Sequence, residues 1–137
     1  MTKKKLYSSN QALVIGFFSG PLTLIYFIYK NFKVLEETSL ARKAVIFGII
    51  FIFMMVLLSP LLKSNVFNFF ISIFPAISAR YIIKNFQFNK QDITDSEELS
   101  FYSNWRALLA GIIGLIMFFI VAFVIYLPMG SLLAQAP

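Results

Sequence analysis

Neither cysteine nor histidine occurs in this 137-residue chain. Disulfides, Cys or His metal sites, His-ligated haem and imidazole acid–base chemistry are therefore excluded, and no thiol reports on the redox compartment. Charge is the second scarcity. Only 13% of residues are Asp, Glu, Lys or Arg, about half the share of a soluble domain. A water-exposed surface needs more charge than this, so the chain is expected to face lipid over most of its area. Acidic groups are scarcest: six, against twelve Lys and Arg, for a net charge of +6.

What is present agrees with that expectation. Hydrophobic residues make up 59% of the chain, mean hydropathy is +0.81 and phenylalanine alone occurs 17 times. The apolar residues fall into four runs, at 12–29, 44–62, 66–83 and 107–127. Polar loops at 30–43 and 84–106, a short turn around Lys63, a lysine-bearing arm and an uncharged tail separate or flank them. A helix needs roughly 20 residues to cross the hydrocarbon core, and lipid leaves helix as the only backbone solution for runs of this kind. The class is therefore all-α, a polytopic helical membrane protein forming one domain over 1–137. No soluble domain, internal repeat or linker is legible. The first run lacks a small-x-small cleavage site and reads as retained rather than as a signal peptide.

The basic residues set the topology. With four crossings and an inward N-terminus, eight of the twelve would be exported, against the positive-inside bias. If the first run instead enters, turns at Gly20-Pro21 and returns, the arm and both long loops share the cytoplasmic face and Lys63 alone lies outside. Glycine permits unusual backbone angles and proline removes an amide donor, so this dipeptide can break a helix. The expectation is three full spans plus an N-terminal broken, re-entrant hairpin, with four spans and a Pro-kinked first helix as the alternative.

Four groups of residues are candidates for function. Gly16, Gly20 and Pro21 would let another helix approach the first run, and Gly111 and Gly114, with Ala107 and Ala110, form small-xxx-small pairs for helix packing or dimerisation. Asn68 and Ser72 share a small, polar face of the third run with Pro75, Ala76 and Ala79, suited to helix–helix glue or to lining a cavity. Asp92, Asp95, Glu97 and Glu98 form an acidic loop that would bind a partner or, with Thr94 and Glu97 as a capping box, start a short helix over 95–105. Tyr102, Trp105, Arg106 and Tyr126 are placed for interfacial anchoring.

The segment Phe17-Phe18-Ser19-Gly20-Pro21-Leu22, with Tyr26, Asn31-Phe32 and Ala41-Arg42-Lys43, and the later Phe101-Tyr102-Ser103-Asn104-Trp105-Arg106-Ala107, together resemble a group of small, functionally uncharacterised bacterial inner-membrane proteins. Members often carry Gly-Gly-Pro where this chain has Ser19-Gly20-Pro21, and a bulky aromatic in place of Asn104. The resemblance implies a bacterial cytoplasmic membrane and no activity.

No Asp or Glu lies within any apolar run, whereas ion-coupled transporters carry such groups in their spans. No nucleophile–base pair or phosphate-binding loop is present, so no enzyme and no cofactor is expected. Besides the lipid bilayer, the expected partner is another membrane protein: a membrane-targeted toxin countered by an immunity-type protein, or a complex of which this chain is an accessory subunit. A homo-oligomer is compatible with the helix faces, and nucleic acid is not expected. The rival is an oligomeric pore or lysis protein lined by Asn68, Ser72 and Ser78.

Overall fold

The computed structural model describes residues 3–58, 65–88, 93 and 95–133, with backbone alone at 65–72 and 129–133. It is mostly helical. Strand β1 (Lys4–Leu6) precedes helices α1 (Ser9–Ser19), α2 (Pro21–Val34), α3 (Thr38–Leu58) and α4 (Asn65–Ile82). The last of these continues into a π-helical turn, Ile83–Gln87, and strand β2 (Leu99–Phe101) then leads into α5 (Asn104–Leu133). Helices α3 and α5 are each long and apolar enough to cross a membrane.

The first apolar run is divided between α1 and α2. Ser8 caps α1: its hydroxyl accepts from the Gln11 backbone N–H at 3.1 Å, and the Gln11 side-chain oxygen accepts from the Ser8 N–H at 3.0 Å, the reciprocal box that satisfies two orphan donors. Gly20 ends the helix at φ 82°, ψ −178°, a backbone region essentially reserved for glycine. Pro21 follows as the first residue of α2, where its missing N–H costs nothing. The chain then doubles back. Tyr7 N–H donates to Asn31 Oδ1 at 2.7 Å, and Asn31 Nδ2 donates to the Tyr7 carbonyl at 2.8 Å. On one continuous helix these two residues would lie roughly 36 Å apart. Gly16 makes the reversal tight, because a Cβ there would overlap the Leu24 side chain.

Most of the expected 30–43 loop is helical. Only residues 35–37 link α2 to α3, through a Schellman closure: Glu37 N–H donates to the Phe32 carbonyl (2.9 Å) and Glu36 N–H to that of Lys33 (3.2 Å). Glu36 takes the left-handed conformation at φ 65°. Lys4 reaches it in an exposed ion pair at 2.8 Å, a contact expected to add little stability because water screens it.

The expected helix over 95–105 does not form. Thr94 lies outside the described residues, and 95–98 carry no helical turn. Ser96 Oγ accepts from the N–H groups of Glu98 and Leu99 at 3.2 Å each, and the chain then extends as β2. The competing partner is non-local: β1 pairs with β2 in parallel, Lys4 opposite Leu99 and Leu6 opposite Phe101. A capping pattern is a local signal, and the ladder supplied by the distant arm overrides it. The expected uncharged tail is shorter than it reads, since α5 continues past Pro128 to Leu133.

That strand pairing exposes an internal repeat, against the expectation of none. Leu6-Tyr7-Ser8, Ala12-Leu13 and Gly16 recur as Phe101-Tyr102-Ser103, Ala107-Leu108 and Gly111, and the register Leu6↔Phe101 sets the two copies side by side. In each, a strand leads to a tyrosine, then a serine whose hydroxyl accepts from a first-turn N–H (Gln11 and Arg106), then a helix. The tyrosine rings lie 4.5 Å apart, and Ala12 and Ala107 are both fully buried. The copies diverge at Gly20-Pro21, whose counterparts are Leu115-Ile116. The first helix stops there and the second continues.

Lengths follow from a rise of 1.5 Å per residue: about 16 Å for α1, 21 Å for α2, 31 Å for α3 and 45 Å for α5. The hairpin packs against α5, with Gly20 beside the Phe118 ring (3.8 Å from a built Cβ), roughly 21 Å along that helix from Asn104. At the far end, Tyr126 Oη donates to the Val56 carbonyl at 3.0 Å and ties α5 to α3. Elsewhere α3 and α5 turn broad apolar surfaces outward, including Phe47, Phe53, Ile116 and Phe123.

Candidate functional site

Arm, hairpin, π-helical turn and the start of α5 meet at one end of the molecule, and the polar side chains there join them. Asn31 is fully buried. Besides its two bonds to Tyr7, its amide donates to Gln87 Oε1 at 2.9 Å, and Gln87 Nε2 donates onward to the Ile28 carbonyl at 3.0 Å. Gln11 Nε2 donates to the Tyr102 carbonyl (2.8 Å) and to Asn104 Oδ1 (2.9 Å). The Tyr7 ring stacks on Phe27 at 4.0 Å. Burial, reinforced by Tyr26 and Tyr102 alongside, holds its phenol well above the ordinary tyrosine range, so Tyr7 is a neutral packing group. The Arg106 guanidinium lies 4.9 Å from the Tyr102 ring centroid.

Beside this clasp runs a groove with two adjoining lobes of about 830 and 860 Å³. Its floor is α1, whose Asn10, Val14 and Phe18 form an exposed row at four-residue spacing. One wall is α4 with the π-helical turn, and the other is the start of α5. The lobes share Val14, Arg80 and Lys84. Phe18, Ile73 and Ile77 make the inner lobe apolar, whereas Ser8, Ser9 and Asn104 line the outer one. Arg80 and Lys84 are exposed and stand one helical turn apart. Among the described residues no acid lines either lobe, and the sole ion pair is Lys4–Glu36.

The residues singled out from sequence separate into three places. Gly16 packs inside the hairpin against Leu24 and Pro21 is buried at its turn, whereas Gly20, Gly111 and Gly114 lie in the seam between hairpin and α5. A Cβ at Gly111 would come within 2.5 Å of Ile15, and one at Gly114 would overlap the Thr23 hydroxyl and sit 3.3 Å from the Thr23 Cα. Asn68 and Ser72 belong to α4, but their side chains, like the whole of Asp92, lie outside the described residues, while Ala76 and Ala79 of the same face are buried. Asp95, Glu97 and Glu98 are exposed in the bend before β2 and line neither lobe. The described residues hold no group of three carboxylates that would bind a metal.

Arg80 and Lys84 as a pair, and the Gln11–Asn31–Gln87 clasp, escape a sequence reading. The available signal was the uncharged amides just outside the first apolar run, Gln11 and Asn31, and after the third, Gln87. Thr23 differs from these amides. Its hydroxyl is buried and has no hydrogen-bond partner among the described residues. Removing an unsatisfied polar atom without changing shape is close to neutral or stabilising. Thr23→Val is therefore expected to hold or raise the thermal midpoint in detergent, whereas Thr23→Ala is expected to lower it by opening a gap against Gly114.

Comparison with protein-family models, with curated proteins and with solved structures finds no match to this chain, so its function is read from its own geometry.

Proposed function

We propose that this chain is a non-enzymatic, multi-pass integral membrane protein that works by lateral binding of a second membrane protein. In this reading α3, α4 and α5 cross the bilayer, the α1–α2 hairpin re-enters from the cytoplasmic side, and the arm, the α2–α3 link and the segment leading to α5 all lie in the cytoplasm of a bacterial cell. An immunity-type protein neutralising a membrane-targeted toxin, or an accessory subunit of a complex, is the concrete form.

The observation that carries the reading is the outward surface of α3 and α5. Phe47, Ile50, Phe53 and Met54 on α3, and Ile112, Ile116, Phe119 and Phe123 on α5, are exposed and uninterrupted by charge. Patches of this extent mark a membrane or protein contact. The lengths of α1 and α2, both short of a core about 30 Å thick, support re-entry, as does the Tyr7–Asn31 clasp between the two ends of the hairpin. The basic residues of the arm and of both polar segments then share one face, as the positive-inside bias prefers.

The test is photocrosslinking in the native membrane from Phe47, Phe53 and Phe119, each replaced by a photoreactive phenylalanine analogue. One discrete adduct with a second membrane protein, lost when the analogue is moved to the half-buried Phe51, is expected. Leakage of a small dye from liposomes holding the purified protein alone would overturn the reading in favour of a pore.

A further inference from the structure

We propose that the groove over α1 is a binding site for one anionic phospholipid, held with its phosphate against Arg80 and Lys84 and an acyl chain along Val14, Phe18, Ile73 and Ile77. The proposal rests on the membrane reading above and is independent of the protein partner.

Three observations place this occupant. The groove is graded along its length: Ser8, Ser9 and Asn104 stand among the aromatic Phe88, Phe101 and Trp105 at its outer end, Arg80 and Lys84 follow, and the inner end along α1 and α4 is more fully apolar. That order matches a phospholipid lying with its headgroup at the interface and its chain directed inward. Among the described residues the two cations have no carboxylate to neutralise them: none of the described acids lines either lobe, and neither cation makes an ion pair with one. Basic pockets between helices are the known means by which membrane proteins hold anionic headgroups. Finally, the floor is a helix of only 11 residues. Because α1 stops at Gly20 while α4 and α5 flank it, the exposed Val14–Phe18 row lies open to an acyl chain rather than to a neighbouring helix.

The test uses the full-length protein in detergent, stripped of lipid and titrated with phosphatidylglycerol or phosphatidylcholine, with bound lipid counted by native mass spectrometry. One phosphatidylglycerol per chain is expected, retained at least about tenfold more tightly than phosphatidylcholine. Arg80→Gln with Lys84→Gln should remove that preference. Arg42→Gln with Lys43→Gln, an equal charge change at exposed positions outside the groove, should keep it. Val14→Trp should weaken both lipids by filling the floor. An unchanged thermal midpoint shows that each variant is folded. Equal retention of the two lipids, unaltered preference in the Arg80/Lys84 variant, or displacement by millimolar inorganic phosphate would each overturn the proposal. Carbonate extraction separates the two readings: release of the chain from membranes sinks the membrane reading itself, while a membrane-retained chain without lipid preference sinks only the site.

Discussion

Asn31→Ala is expected to produce the largest loss of stability of any single substitution at the polar end. One buried side chain there satisfies three groups: the Tyr7 N–H, the Tyr7 carbonyl and Gln87 Oε1. Truncation leaves all three without that partner. A buried group deprived of its partner costs about 1–3 kcal/mol, so the total is about 3 kcal/mol or more even if water reaches one of them. The effect is also directional. The Tyr7–Asn31 bonds join the two ends of the hairpin, so backbone amides in β1 and at the start of α1 should exchange hydrogen faster well before α3 or α5 is affected. Thermal unfolding in detergent with hydrogen-exchange mass spectrometry reads both. Asn31→Asp retains one acceptor but loses both donor contacts and places a charge in a fully buried site, so it should fare no better. A wild-type midpoint for Asn31→Ala would mean that the clasp does not hold the hairpin.

The second large effect is expected at Gly114. The hairpin reaches α5 because Gly114 leaves room for Thr23, backbone included. Gly114→Ala requires a shift of several tenths of an ångström or more, and overpacking of this kind typically costs about 1–3 kcal/mol. Gly114→Leu cannot be absorbed by a side-chain rotation and should separate α2 from α5. Helix propensity alone would make both changes favourable by up to about 1 kcal/mol, so the sign of the result discriminates. Destabilisation identifies Gly114 as a contact position, and stabilisation would show that the seam is not packed as described. Thr23→Ala should partly rescue Gly114→Ala, since it removes the hydroxyl that the new methyl group meets, and a double-mutant cycle measures that coupling.

How far the sequence led depends on the range of each signal. Long apolar runs are local, so α3 and α5 were legible from composition, and so was the break at Gly20-Pro21, where residue types dictate backbone angles. The glycines at 16, 111 and 114 could be recognised as packing residues, but not their partners, because Leu24, Ile15 and Thr23 become neighbours only once the hairpin has closed. The expected 95–105 helix failed for the same reason. Thr94 and Glu97 offer a local cap, but the arm at 4–6 supplies a ladder that no local pattern announces. The repeat was visible in principle as Tyr-Ser, then Ala-Leu, then Gly at matching offsets. It was hidden because the two copies end differently, one at Gly20-Pro21 and the other continuing through Leu115-Ile116. Arg80 and Lys84 escaped notice as a pair because a cation at the end of an apolar run ordinarily reads as an interfacial anchor. Only the short α1 between α4 and α5 turns them into the rim of a groove.

The arrangement of the chain in the bilayer is the claim on which the functional readings depend, and one measurement addresses it directly. The chain has no cysteine, so single thiols at Lys3→Cys, Ser39→Cys, Ser64→Cys, Glu97→Cys and Ser131→Cys can be probed without background. With a membrane-impermeant maleimide added outside intact bacterial cells, Ser64→Cys and Ser131→Cys should react, while Lys3→Cys, Ser39→Cys and Glu97→Cys should react only after the cells are opened. Labelling of Lys3→Cys and Ser39→Cys from opposite sides of the membrane would contradict the account, because the segment between them would then cross the bilayer rather than re-enter it.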